Sequence, residues 1–97
     1  MVLNVVKKIK KGKVSTYKEI AKAVERPRAY RAVGSVLKKN KDPKRIPCYR
    51  VVKSDGSVGE YSLGVRRKIQ KLKNDGIEIK NGKINLKKYL QKANELS

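Results

Sequence analysis

The sequence has no histidine, no tryptophan, no phenylalanine and only one cysteine, Cys48. Acids are also scarce, with 8 Asp and Glu against 27 Lys and Arg, for a formal net charge of +19. Each shortage excludes something. A lone cysteine cannot form an internal disulfide or a cysteine cluster. Without histidine the usual donor sets for zinc are missing, so no metal and no other cofactor is expected. Without Phe or Trp the core must be built from aliphatic residues and five tyrosines. No signal peptide, lipidation motif or long apolar run is present, which argues against a membrane location. The expectation is an intracellular chain, in cytoplasm or nucleoid, with its thiol reduced.

A chain of 97 residues suits one domain with a modest core. The positive charge runs along its whole length and alternates with Val, Ile and Leu, as in a folded domain with solvated faces. The implied partner is a polyanion, with DNA or RNA ahead of an anionic membrane. The plain alternative is an architectural protein that only neutralises phosphates.

Periodicity and punctuation divide the chain. "VLNVVKKIKKGK" places Val2, Leu3, Val5, Val6 and Ile9 on one helical face, with Gly12 as a stop. "STYKEIAKAVERP" opens with a capping box, Thr16 with Glu19, and carries Ile20, Ala21 and Val24 as its apolar stripe. Pro27 should close that helix or open the next. "RAYRAVGSVLKKN" reads as a basic helix with Ala29, Ala32, Val33, Val36 and Leu37 inward. Its outer face carries Arg28, Arg31, Ser35, Lys38 and Lys39. A short helix, a turn and a basic helix with small residues is helix-turn-helix order. "CYRVV" reads as a short strand and "SDGSVG" as the turn of a hairpin or wing. "VRRKIQKLKND" is a further helix with Val65, Ile69 and Leu72 inward. "GIEIKNGKINL" folds as a hairpin around Asn81-Gly82, and "LKKYLQKANEL" closes as a last helix. The fold expected is α+β: one small winged-helix-like DNA-binding domain over residues 1–97, with a helix-turn-helix and a short β-hairpin wing.

"TYKEIA", "RAVGSVLKKN", "IPCYRVV" and "GSVGEYSLG", in this order, resemble the DNA-binding domain of O6-alkylguanine-DNA alkyltransferases. The resemblance runs from about Val14 to Gly76. It implies a DNA repair protein that moves an alkyl group from guanine O6 irreversibly to its own cysteine, after turning the damaged nucleotide out of double-stranded DNA. It implies Cys48 as the nucleophile and Arg31 as the side chain that fills the gap in the base stack. Ala32, Gly34 and Ser35 would let the helix approach the minor groove, with Lys38 beside them. Tyr17 matches a tyrosine that presses on the phosphate of the flipped nucleotide, and Asn40 one that ties the recognition helix to the cysteine segment. Pro43, Val51, Val58, Tyr61 and Ser62 match the pocket around the alkylated base.

The chemistry read from the residues agrees. Displacement at an alkyl carbon needs a soft anionic nucleophile, which is a thiolate. Arg50, close in sequence, and the overall positive charge both favour that anion. The alternative is an inert buried cysteine in a strand. Three departures stand out. The family's histidine after the cysteine is Tyr49 here, and the family's glutamate that steers it is Asp75. A neutral tyrosine is a poor base, so Tyr49 is expected to hold a water while electrostatics makes the thiolate. The family's N-terminal domain is not present in this sequence, and a protein partner could replace it; otherwise a monomer is expected. Some members carry tryptophan in place of the cysteine and bind alkylguanine without repairing it, whereas this chain keeps Cys48. Two functions therefore compete with single-use transfer: lesion binding without efficient transfer, and plain DNA architecture.

Overall fold

The structure, a computed structural model, describes all residues except Met1, Pro27, Pro43, Ser62 and Ser97. The expectation for Pro27 and the pocket assignments of Pro43 and Ser62 lie outside the described residues.

The chain begins with α1 (Val2–Val6), which buries Val5 and Val6. Its continuation tightens to i→i−3 hydrogen bonds, Lys8 N to Val5 O and Ile9 N to Val6 O, and brings Ile9 into the core at 1% exposure. Strand β1 (Ser15–Thr16) follows and pairs in parallel with β2 (Val51–Val52). Thr16 caps α2 (Tyr17–Ala23), its hydroxyl accepting from Glu19 N at 3.1 Å. Only this half of the expected capping box forms. The Glu19 carboxylate instead accepts from Ala93 N at 3.0 Å, at the far end of the chain.

Helix α2 ends in a Schellman motif. Arg26 N bonds Ala21 O and Glu25 N bonds Lys22 O, with Glu25 in the left-handed region at φ 62°. Helix α3 (Tyr30–Lys38) packs against α2, as helix-turn-helix order requires, and buries Val33 and Leu37. Its outer face is the expected one, with Arg28, Arg31, Ser35, Lys38 and Lys39 exposed. Its inner face is narrower than expected, because Ala32 and Val36 are also exposed. Only the i, i+4 pair Val33 and Leu37 points into the core shared with α1 and α2.

Cys48 does not sit on a strand. Residues Cys48–Arg50 form a 3₁₀ turn, and extended backbone begins only at Val51. The turn lets adjacent residues serve two cores. Cys48 packs with Val6, Ile20, Val33 and Leu37, and Tyr49 packs with Val14, Val52, Leu72 and Tyr89.

Helix α4 (Val65–Asn74) buries Leu72 and, unexpectedly, Lys68, while Val65 stays 46% exposed. A second Schellman motif ends α4: Ile77 N bonds Leu72 O and Gly76 N bonds Lys73 O. Gly76 takes the required positive φ of 89°. This motif fixes Asp75 as the C-cap of α4. Strands β3 (Ile79–Lys80) and β4 (Lys83–Ile84) pair across Asn81-Gly82, both at positive φ, as a two-residue primed turn demands. The 53–57 turn joins this hairpin through a Ser57–Lys83 bridge.

The expected last helix is two, α5 (Leu86–Tyr89) and α6 (Ala93–Leu96). Between them Leu90 is extended and bridges Val14. Gln91, 3% exposed, donates to Lys8 O and Glu95 O and accepts from Lys10 N. Edge bonding to Val14 and the satisfied Gln91 amide outweigh helix propensity there. No helix among the described residues is long and apolar enough to cross a membrane.

Candidate nucleophile pocket

Cys48 is a free cysteine, 5% exposed. Asn40 Nδ2 donates to its Sγ at 3.4 Å and to Ile46 O at 3.1 Å. Asn40 Oδ1 in turn accepts from Asp42 N at 2.9 Å. One amide thus joins the C-terminal end of α3 to the segment that delivers the thiol, and leaves Sγ as an acceptor.

The thiol lines a cavity of about 460 Å³, within the usual range for small-molecule sites. Of the residues singled out from sequence, Tyr17, Arg31, Gly34, Ser35, Lys38, Cys48 and Tyr61 line it. Four cations, Lys18, Arg31, Lys38 and Lys53, face one carboxylate, Glu60. Lys38 and Glu60 pair across the mouth at 3.1 Å, and the ammonium holds Glu60 below the usual carboxylate range. Burial pushes the Tyr17 phenol up, with Glu60 and Cys48 adding to it. Burial also raises Tyr61, again with Cys48 adding to it. Tyr61 Oη is buried with no hydrogen-bond partner among the described residues. Such a group normally finds a partner, and this one belongs to a residue of the cavity wall.

Gly34 is open. Among the described residues a Cβ there would meet only Tyr17 Cε1, at 3.9 Å, so none of them demands glycine at this place. Ala32 lies on the exposed face of the same helix. Val51 and Val58 are fully or nearly buried beside the pocket segment, at 0% and 4%.

Tyr49, Arg50 and Asp75 come together, but apart from the cavity lining. Tyr49 Oη donates to Asp75 Oδ2 at 2.8 Å, and Arg50 Nε donates to the same oxygen at 2.9 Å. Arg50 Nη1 bonds Ile9 O at 2.8 Å. The guanidinium also lies 5.2 Å from the Tyr49 ring centroid. Burial raises the Tyr49 phenol, the Asp75 hydrogen bond adds to it, and Arg50 opposes. Tyr49 is therefore a neutral donor, and the charge of Arg50 is taken up by Asp75.

Lys68 was not singled out from sequence. It is 1% exposed and donates to Val51 O at 2.7 Å and Glu60 O at 3.0 Å. Burial pushes its ammonium down to about 8, while the negative form of Cys48 works against that fall. Its Nζ would lie 3.7 Å from a Cβ on Gly59. The available signal was position: Lys68 is four residues before Leu72, on the inward stripe of α4.

The chain resembles known proteins along most of its length. A bifunctional methyltransferase/endonuclease of Picrophilus torridus is 53% identical over 81 residues, 84% of this chain and 27% of that protein. A DNA base-flipping protein of Vibrio parahaemolyticus is 42% identical over 86 residues, 88% of this chain and 86% of that protein. The crystal structure of S. pombe Atl1 in complex with damaged DNA containing O6-carboxymethylguanine superposes with a TM-score of 0.84. It is 34% identical and covers 94% of this chain and 91% of that one. The chain spans about a quarter of the length of the bifunctional relatives, 27% and 26%. Residues 1–77 match the family model for the 6-O-methylguanine DNA methyltransferase DNA-binding domain. With a free thiol on a cationic cavity beside a helix-turn-helix, the chain belongs to the 6-O-methylguanine DNA methyltransferase family, through its DNA-binding domain.

Proposed function

We propose that this protein repairs DNA by taking the alkyl group of an O6-alkylguanine onto Cys48, once per molecule. The observation that carries this reading is the Cys48 thiol held by Asn40 on the wall of a cavity rimmed by cations. In duplex DNA the alkyl carbon is out of reach of a thiol 5% exposed, so the nucleotide must turn out of the stack to enter. Exposed Arg31 on α3 takes the vacated space, and Tyr17 on α2 presses the phosphate. Ala32, Gly34 and Ser35 leave the helix face low enough for a groove. The orphan Tyr61 hydroxyl gains a partner on the guanine edge.

In the transfer, the Cys48 sulfur forms a bond to the alkyl carbon as the bond from that carbon to O6 breaks. The electron pair leaves with O6. The proton lost by the thiol is balanced by the one that guanine regains on its ring nitrogen, so no co-reactant is needed. Asn40 positions the sulfur, its Nδ2 donating to Sγ at 3.4 Å. Tyr49 orders the turn through Asp75 rather than removing the proton.

A second reading is lesion binding without efficient transfer. It is favoured by the commitment of Tyr49 to Asp75, and by the likeness to Atl1 over 94% of the chain. Intact mass after incubation with an oligonucleotide containing O6-methylguanine separates the two. Transfer adds one methylene to the protein, and Cys48→Ser removes that gain. The same variant keeps its DNA affinity, because phosphate contacts supply most of it. An unchanged mass with lesion-selective binding would leave the second reading standing.

A further inference from the structure

Five tyrosines are present, and their burial sorts them. Tyr49 and Tyr89 are core residues, each 9% exposed. Tyr17 and Tyr61 are half-buried against the core and line the cavity. Tyr30 alone is exposed, at 39%, and it lines the same cavity. It opens α3, immediately before Arg31. Successive residues on a helix point about 100° apart, so Tyr30 and Arg31 diverge from one turn of backbone. Both border the cavity. Its ring belongs to neither core cluster, so little of the fold's core packing depends on it. What it offers is a flat aromatic face on the lining of the cavity that holds Cys48.

We propose that Tyr30 is a positioning residue for the extruded nucleotide, its ring stacking on the nucleobase at the cavity mouth. This rests on the reading above, in which a guanine enters that cavity. Tyr30 and Arg31 then divide the work of one helical turn. The arginine occupies the gap in the duplex, and the tyrosine replaces on the outside the stacking that the base loses on leaving. Stacking on an aromatic side chain is independent of sequence and is felt only by a base that has left the helix. Tyr30 therefore raises the preference for an extruded base, not the affinity for DNA in general.

The test uses reversible binding in the Cys48→Ser background, with O6-methylguanine duplex and the matching undamaged duplex at fixed salt. Tyr30→Ala should weaken lesion binding roughly 5- to 150-fold, the range given by one base stack. It should leave undamaged DNA and the thermal unfolding transition unchanged. Tyr30→Phe, which keeps the ring, should bind as the parent does. The inference is overturned if Tyr30→Ala leaves lesion binding intact, or weakens both duplexes equally. It is also overturned if Tyr30→Phe loses as much as Tyr30→Ala, since the hydroxyl would then be the operative group. If the Cys48→Ser parent shows no lesion preference at all, the proposed function itself fails and takes this inference with it.

Discussion

The Tyr49 hydroxyl donates to Asp75 across 26 residues of sequence, at 2.8 Å, and Asp75 takes Arg50 on the same oxygen. The residue that follows Cys48 is thus a strut between the 3₁₀ turn and the C-cap of α4. Removing the carboxylate and removing the phenol should differ. Asp75→Asn leaves the Arg50 guanidinium, whose side chain is 15% exposed, without its counter-charge. We expect a loss of about 3 kcal/mol in unfolding free energy. Tyr49→Phe removes one hydrogen bond and should cost about 1 kcal/mol, with transfer by the folded protein changed only slightly. Denaturant unfolding and single-turnover mass kinetics check both. A large drop in transfer rate for Tyr49→Phe at unchanged stability would make the phenol part of the chemistry.

Arg31 is exposed on α3 and borders the cavity. Arg31→Ala should slow reaction with duplex DNA by about 10- to 100-fold, the scale of unpaired stacking energy. Reaction with a free O6-alkylguanine base or a short single strand should barely change. Equal losses on both substrates would remove its role in the base stack.

Gly34 separates stability from binding. A Cβ there makes an ordinary contact with Tyr17 at 3.9 Å, so the fold has room for it. Gly34→Ala should raise stability by about 0.5–1 kcal/mol, because glycine weakens a helix interior. The same methyl group should weaken DNA binding by standing between α3 and the groove. A gain in unfolding free energy with undiminished DNA affinity would place the groove elsewhere.

Lys68 gives the fold a pH signature. Its folded value of about 8 lies below the ordinary lysine value of 10.5. Below about pH 8 the ammonium is charged in both states, and the cost of burying it is fully present. Between about 8 and 10.5 the unfolded chain binds more protons, so stability rises with pH. The rise should be roughly 1–3 kcal/mol by pH 10 in denaturant midpoints. Lys68→Met should flatten it. A wild-type stability that stays level or falls across that window would contradict a buried, depressed lysine.

Much of the site was legible because its signals are local. Thr16 caps α2 through a bond three residues away, Asn81-Gly82 turns the hairpin by its own backbone preference, and the outer face of α3 follows from a period of 3.6. The motifs around Cys48 pointed to the family for the same reason, being short and contiguous.

The sequence by itself therefore determined the α+β class, the helix-turn-helix order, the basic outer face of α3 and the lone cysteine. Tertiary structure decided what periodicity does not encode. It set the 3₁₀ turn at Cys48, because the adjacent residues Cys48 and Tyr49 reach different core clusters. It broke the last helix at Leu90, because a bridge to Val14 and the Gln91 bonds outweighed local propensity. It buried Lys68, because two carbonyls distant in the chain converge on one point and an ammonium satisfies both. Such choices depend on partners brought together only by folding, and no window of neighbouring residues carries them.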